Sequence, residues 1–130
     1  MSTAEMPFPT LSAHRGGSGE GAENTLHAFR KAYALGINLL ELDVHMSKDG
    51  HVVIAHDATL GRMCGPDYRG KKLADFTYKE LPQMQKQIKI ALSPGSYTLK
   101  DDETGRFDLL EDLFEEFQSK KVLFSIDLKA

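Results

Sequence analysis

Residues 39–57 read LLELDVHMSKDGHVVIAHD, and from Leu40 to Met46 apolar and polar side chains alternate. Successive side chains of a strand point to opposite faces, so each set occupies one face of a predicted strand. The apolar set is Leu40, Leu42, Val44 and Met46, and the polar set is Glu41, Asp43 and His45. We interpret the first face as core and the second face as a site.

The composition is that of an ordinary globular domain. With 130 residues, of which 41% are hydrophobic and 27% are charged, the chain is long enough for one modest core. The formal net charge of -3 comes without a basic stripe, so nucleic acid is not an expected partner. The single cysteine fits a reducing compartment, and no targeting signal or membrane-spanning run is visible. We therefore expect a soluble, cytoplasmic chain.

The order of predicted elements favours an α/β fold, in which parallel strands are joined by crossovers. LSAH predicts a first strand, and the segment after it predicts a helix that Asn24 or Thr25 caps and Gly36 ends. A second helix is expected in DLLEDLFEEFQ, with Asp108 as its cap, and a last strand in KVLFSIDLK.

Composition also changes along the chain. Residues 1–10 are expected to be disordered, and residues 11–130 to form one domain, which the family resemblance given below implies is partial. Asp49-Gly50 predicts a hairpin with a type I′ turn, because glycine adopts positive φ without penalty. Residues 60–108 are rich in Gly and Pro, which predicts a loop or small insertion with one short helix around 78–87.

A group of acidic residues is expected at one end of the sheet, where sites of parallel α/β proteins lie. Glu41 and Asp43 on the second strand, Asp127 on the last strand and His14 at the end of the first strand would gather there. Close carboxylates repel each other unless a cation lies between them, and oxygen ligands favour Mg²⁺ or Ca²⁺. The alternative is a hydrated polar face on an antiparallel sheet.

Two histidines are candidates for proton transfer. His56 precedes Asp57, whose carboxylate can orient the imidazole ring, and His14 would complete an acid/base pair. The alternative is that a histidine at a strand end only satisfies a local carbonyl group. His45 is expected either near Asp43 or in a packed position.

Two basic residues are candidates for phosphate binding. Arg15 can hold phosphate oxygens with its planar guanidinium group. Lys129 either pairs with Asp127 or lends its charge to a phosphate. The segment GSGEGA, residues 17–22, also matches a dinucleotide-binding pattern. Glu20 and Glu23 argue against it, because they would place negative charge beside the pyrophosphate.

The motifs HRG, ENT, ELD and HD, in this order and followed by SIDLK, resemble those of the glycerophosphodiester phosphodiesterase family. The sequence is most similar to the eukaryotic membrane-associated type that acts as a lysophospholipase D. The resemblance implies a (β/α)₈ TIM barrel of the phosphatidylinositol phosphodiesterase-like kind. This chain would be its N-terminal part, truncated after about the third strand.

The resemblance also implies a reaction and a set of roles. The reaction is metal-dependent hydrolysis of a glycerophosphodiester or lysophospholipid to a (lyso)glycerol phosphate product and an alcohol. The matched residues are His14 and His56 as catalytic residues, Arg15 and Lys129 for substrate binding, and Glu41, Asp43, Asp127 and Glu23 as ligands of Mg²⁺ or Ca²⁺. Asp127 stands where many members have Glu, and the shorter Asp reaches less far.

Several alternatives remain open from the sequence. One is a non-catalytic truncated fragment that binds metal or a partner chain. Another is a sphingomyelinase D-like phosphodiesterase, whose histidine and carboxylate pattern is similar. A sheet that lacks five strands would expose an edge, which predicts self-association. The resemblance to the membrane-associated type adds contact with a membrane surface to the expected interactions.

Overall fold

The computed structural model describes residues 12–14, 21–91 and 94–128, with backbone alone for the first range. In chain order its elements are β1 (Ser12–His14), α1 (Leu26–Ala34), β2 (Leu39–Met46), β3 (Val52–Ile54), α2 (Gly61–Cys64), β4 (Gln87–Lys89), β5 (Ser96–Thr98), α3 (Leu110–Phe117) and β6 (Leu123–Leu128). Three short 3₁₀ turns also occur, at Pro66–Tyr68, Leu73–Asp75 and Tyr78–Glu80. None of the helices in these ranges is long and apolar enough to cross a lipid bilayer.

Strand β2 is the centre of a four-stranded mixed sheet. β1 and β6 run parallel to β2 on opposite edges, since Leu39 is paired with a residue of each. β3 runs antiparallel beside the last three residues of β2. The register places Glu41 beside His14 and Asp43 beside Asp127. The predicted α/β arrangement of parallel strands joined by helices is confirmed.

The apolar face of β2 packs against helices α1 and α3. Leu40, Leu42 and Val44 are buried there, as predicted, in one cluster with Phe117. Met46 was expected on the same face but is 59% exposed. The helices therefore cover this face only as far as Val44, which leaves the polar face as the side on which a site can form.

Residues 60–108 contain more structure than a loop. They include α2, the 3₁₀ turns and an antiparallel pair formed by β4 and β5, and they have a hydrophobic core of their own. Val53 belongs to this core and Ile54 to the core under β2, so β3 lies between the two. The predicted helix at 78–87 is wrong, because only a 3₁₀ turn forms there, closed by a capping box between Thr77 and Glu80.

Two predicted helix caps have different outcomes. The hydroxyl of Thr25 accepts a hydrogen bond from the amide of Ala28, which confirms Thr25 as the N-cap of α1. Asp108 is not the cap of α3, whose N-cap position is taken by Leu109 without a side-chain hydrogen bond. The Asp108 carboxylate instead accepts a hydrogen bond from the amide of Leu26 at 2.8 Å. Asp108 therefore stabilises the start of α1.

The predicted hairpin between β2 and β3 forms, but not through a type I′ turn. Gly50 has a φ of 85°, whereas Asp49 keeps a negative φ, and a type I′ turn requires positive φ at both positions. The amide of Gly50 donates to the carbonyl of Ser47, and the Ser47 hydroxyl donates to Asp49 at 2.6 Å. This side-chain hydrogen bond stabilises a wider loop.

The packing of α3 predicts a difference between two phenylalanines of the same helix. Phe117→Ala should lower the free energy of unfolding by about 3 to 5 kcal/mol, because it leaves a cavity in a closed core. Phe114→Ala is the matched control, since Phe114 is 40% exposed while Phe117 is 2% exposed. Urea denaturation measures both variants, and equal losses would contradict the described packing.

Candidate active site

The polar faces of β2 and β6 bring acidic residues together. Asp43 and Asp127 are register partners on adjacent parallel strands, so their side chains leave the sheet on the same face, on strands roughly 4.8 Å apart. Glu41 lies two residues earlier on that face of β2. Asp43 is buried, Glu41 is half-buried and Asp127 is exposed. The predicted gathering of these three positions is therefore present in the backbone register.

The donor chemistry of this face fits a hard divalent cation, because carboxylate oxygens are the ligands that Mg²⁺ and Ca²⁺ prefer. In the part of the chain that the structure describes, no three His, Cys, Asp or Glu side chains already form a cluster able to hold a metal ion. The assignment of Glu41, Asp43 and Asp127 as metal ligands stays a prediction.

The motif ENT supplies three buried residues with three different partners. Thr25 caps α1. Asn24 has a φ of 56° and faces Asp43: its amide nitrogen donates to the Asp43 carboxylate and its amide oxygen accepts from the Asp43 backbone, both at 3.3 Å. From the sequence, Asn24 is expected only as a possible cap of α1. In the structure Asn24 holds Asp43 in place on the site face.

His56 is oriented by the residue that follows it. Its Nδ1 lies 2.7 Å from Oδ1 of Asp57. Burial raises the pKa of Asp57, but hydrogen bonds from Arg62 and His56 outweigh this and hold that pKa below its ordinary value. An ionised carboxylate only accepts hydrogen bonds, so Nδ1 of His56 is the donor. The opposite ring nitrogen, Nε2, is then left to take or release a proton.

Strand β2 also fixes the backbone around His56. The amide of Ala55 donates to the carbonyl of Asp43 at 2.9 Å. Nε2 of His45, which is buried, donates to the carbonyl of His56 at 3.1 Å. His45 therefore contacts the His56 segment and does not extend the row of carboxylates.

Arg62, which was not predicted as a site residue, joins Glu23 to the His56–Asp57 pair. Nη1 and Nη2 of Arg62 each donate to one oxygen of Glu23 at 2.8 Å, and Nε donates to Asp57 at 2.9 Å. The sequence offers one weak signal, since Arg62 is the only charged residue between Asp57 and Asp67. The role of Glu23 as a metal ligand stays a prediction, and the structure shows its carboxylate paired with Arg62.

Three predicted site residues cannot be placed in the same way. Arg15 and Lys129 lie outside the described residues, and His14 is described by its backbone alone. Its register beside Glu41 puts the end of β1 next to the acidic positions of β2. The roles predicted for these three side chains stay predictions.

The fold and the site together define a class, namely α/β proteins that carry carboxylates on the central strand of the sheet and a histidine beside it. The model of the glycerophosphoryl diester phosphodiesterase family matches residues 14–130. The chain belongs to this family. Its described elements are part of a (β/α)₈ TIM barrel.

Individual relatives agree with this assignment. Lysophospholipase D GDPD3 from Mus musculus is 39% identical, over 85% of this chain and 32% of its own length. The crystal structure of the glycerophosphodiester phosphodiesterase from Thermotoga maritima is 35% identical, with a TM-score of 0.67 over 93% of this chain and 44% of that one. An Oleispira antarctica phosphodiesterase, solved with the product sn-glycerol-3-phosphate, is 28% identical, with a TM-score of 0.66 over 93% and 44%. The chain thus spans less than half the length of these relatives.

The lowered pKa of Asp57 predicts a pH-dependent stability difference. Asp57→Asn should lower the free energy of unfolding by about 2 kcal/mol near pH 7, because charged hydrogen bonds are lost. The folded pKa lies below the unfolded value of 3.8, so the contribution of the carboxylate is complete above that pH and disappears as pH falls through the folded pKa. In urea denaturation, the difference in free energy of unfolding between wild type and Asp57→Asn should therefore narrow below about pH 4.

Asp101→Asn, at an exposed position, is the control for this measurement and should change stability little at any pH. A gap between wild type and Asp57→Asn that stays constant as the pH falls would contradict the described pairing of Asp57.

Proposed function

We propose that this protein hydrolyses a glycerophosphodiester or a lysophospholipid, with Mg²⁺ or Ca²⁺, to a (lyso)glycerol phosphate product and a free alcohol. One observation carries the proposal: a histidine oriented by an ionised aspartate directly follows Ala55, whose amide is bonded to the backbone of Asp43, one of the register-paired acidic residues, in a chain of this family. A proton-transfer group beside oxygen ligands is what metal-assisted hydrolysis of a phosphodiester requires.

The substrate class is supported by what the relatives are called. The mouse relative is a lysophospholipase D, which supports a lysophospholipid, and the Oleispira antarctica enzyme was solved with sn-glycerol-3-phosphate as product. The second description names a glycerol phosphate unit. We therefore propose that this unit is bound in the site and that the alcohol on the other side of the phosphate is the leaving group.

His56 acts in this proposal through its Nε2 atom. Hydrolysis needs a base that takes the proton of the attacking hydroxyl group and an acid that gives a proton to the oxygen of the leaving alcohol. Asp57 keeps a proton on Nδ1 of His56, so Nε2 can serve in either step. His14 is the proposed second member of the pair, on the neighbouring strand end.

A bound Mg²⁺ or Ca²⁺ would neutralise the phosphate and polarise its phosphorus–oxygen bonds. Glu41, Asp43 and Asp127 are the residues that would hold it, with Glu23 as the fourth proposed ligand. Asn24 prepares this arrangement, because it fixes both the backbone and the carboxylate of Asp43. Arg15 and Lys129 are proposed to bind the phosphate oxygens.

We also propose that the protein contacts a membrane surface and associates with a second copy of itself. A lysophospholipid substrate places the site near a membrane surface, on the cytoplasmic side. Self-association through β6 is proposed as well, since no strand pairs with its outer edge among the described residues and Leu128 is 78% exposed. A second chain can add a strand at an edge of this kind.

The test is release of choline from glycerophosphocholine and lysophosphatidylcholine by the purified 130-residue chain. Turnover should require Mg²⁺ or Ca²⁺ and stop with EDTA. His56→Ala should lower kcat by about 10²- to 10⁴-fold, the range for loss of a general acid or base. A cyclic phosphate among the products would identify the glycerol hydroxyl, and not water, as the attacking group.

His51→Ala is the matched control, because His51 also lies beside an aspartate, Asp49 at 3.6 Å, but in the β2–β3 turn. It should leave kcat unchanged. Turnover that survives both EDTA and His56→Ala would sink the proposal. A folded sample without turnover would support the alternative, a non-catalytic chain that binds metal or a partner, and faster hydrolysis of sphingomyelin would favour a sphingomyelinase D-like enzyme.

A further inference from the structure

Arg62 uses every hydrogen-bond donor that a guanidinium group has. Nε donates to Oδ2 of Asp57 at 2.9 Å, and Nη2 donates to Oδ1 of Asp57 at 3.1 Å and to Oε2 of Glu23 at 2.8 Å. Nη1 donates to Oε1 of Glu23 at 2.8 Å and to the backbone carbonyl of Lys89 at 2.9 Å. All five N–H groups are therefore engaged, and all by protein acceptors.

The partners of Arg62 come from three separate parts of the chain. Glu23 precedes α1, Asp57 follows β3 and Lys89 ends β4. The Arg62 side chain is 16% exposed and that of Glu23 is 4% exposed, so this ion pair is largely removed from water. A buried pair of this kind is favourable only when its hydrogen bonds are complete, and here they are.

The geometry at Asp57 connects this pair to the histidine. Arg62 binds both oxygens of the Asp57 carboxylate, which fixes the plane of that carboxylate. Oδ1 of the same group also accepts the hydrogen bond from Nδ1 of His56. The direction from which Asp57 meets the imidazole ring is therefore set by Arg62.

We propose that Arg62 is a positioning residue, which fixes the orientation and the Nδ1–H tautomer of His56 through Asp57. Its effect on the reaction rests on the proposed function, whereas its effect on the tautomer does not. Lysine cannot take its place fully, because an ammonium group has three donors and no planar fork to bind two carboxylates at once.

A merely structural Arg62 would have a different signature. It would contribute to stability by joining the segment before α1 to β4, and its loss would lower the free energy of unfolding. In a chain that stays folded, however, the Asp57–His56 contact would remain as it is. Loss of Arg62 can lower stability in either role, so the tautomer of His56 is the measurement that distinguishes them.

The experiment is ¹⁵N NMR of the imidazole nitrogens of His56 in the 130-residue chain at pH 8. Wild type should show one dominant tautomer with the proton on Nδ1. In Arg62→Met this dominance should be lost, and Arg62→Lys should give an intermediate mixture. If Arg62→Met does not fold, Arg62→Lys decides, because it keeps the positive charge.

Arg30 provides the matched control. It forms a two-point ion pair with Glu116, Nη2 to Oε1 at 2.7 Å, on the surface between α1 and α3. Arg30→Met should leave the His56 tautomer as in wild type. A folded Arg62→Met or Arg62→Lys chain that keeps the wild-type tautomer overturns the proposal, and so does an equal change in Arg30→Met.

Hydrolysis of glycerophosphocholine by the same variants forms the second arm. Arg62→Met should lower kcat about 10- to 100-fold, the range for losing an outer-shell partner, with little change in KM. If wild type does not turn over but the tautomer changes as expected, the positioning role stands and the proposed function fails. If wild type turns over and the tautomer does not respond, the positioning role fails alone.

Discussion

Strand β2 forms hydrogen bonds with three other strands, and the register of these ladders fixes both the core and the candidate site. Leu42 faces the helices and Asp43 faces the site because neighbouring residues of a strand point to opposite sides. A shift of the pairing by one residue would bury the carboxylate under the helices and expose the leucine. The hydrophobic effect that holds α1 and α3 on the sheet therefore also holds the acidic positions in register.

The site depends on short segments outside the strands as much as on the strands themselves. Asn24 holds Asp43, and Glu23 holds Arg62, so two adjacent residues before α1 stabilise both sides of the site. Thr25 ties the same segment to the start of the helix. Because α1 is packed on the core, it also holds this segment and its polar contacts in place.

Elements that depend on residues adjacent in sequence were predicted correctly from local patterns. The alternation in β2, the Thr25 cap and the end of α1 before Gly36 are visible in adjacent residues, and the structure has all three. Asp108 was assigned to the wrong helix, because its partner, the amide of Leu26, is 82 residues away in sequence. A capping side chain binds an amide of its own helix only when the fold brings no other amide closer to it.

The same reason explains why the roles of Arg62 and Asn24 in the site are not predictable from the sequence. His56 and Asp57 are neighbours in sequence, so their pairing was predictable from the motif HD. Arg62 is 39 residues from Glu23, and its position as a lone charged residue does not indicate which partner it meets. Asn24 likewise binds Asp43, 19 residues away, whereas a cap is the local role expected for an Asn before a helix.

The bond between Arg62 and β4 is made to the backbone carbonyl of Lys89 and not to its side chain, which is exposed. Every amino acid supplies that carbonyl. A substitution of the side chain at position 89 therefore keeps this anchor. Substitutions that change the exposed surface of β4 therefore leave the hydrogen bonds at the centre of the site in place.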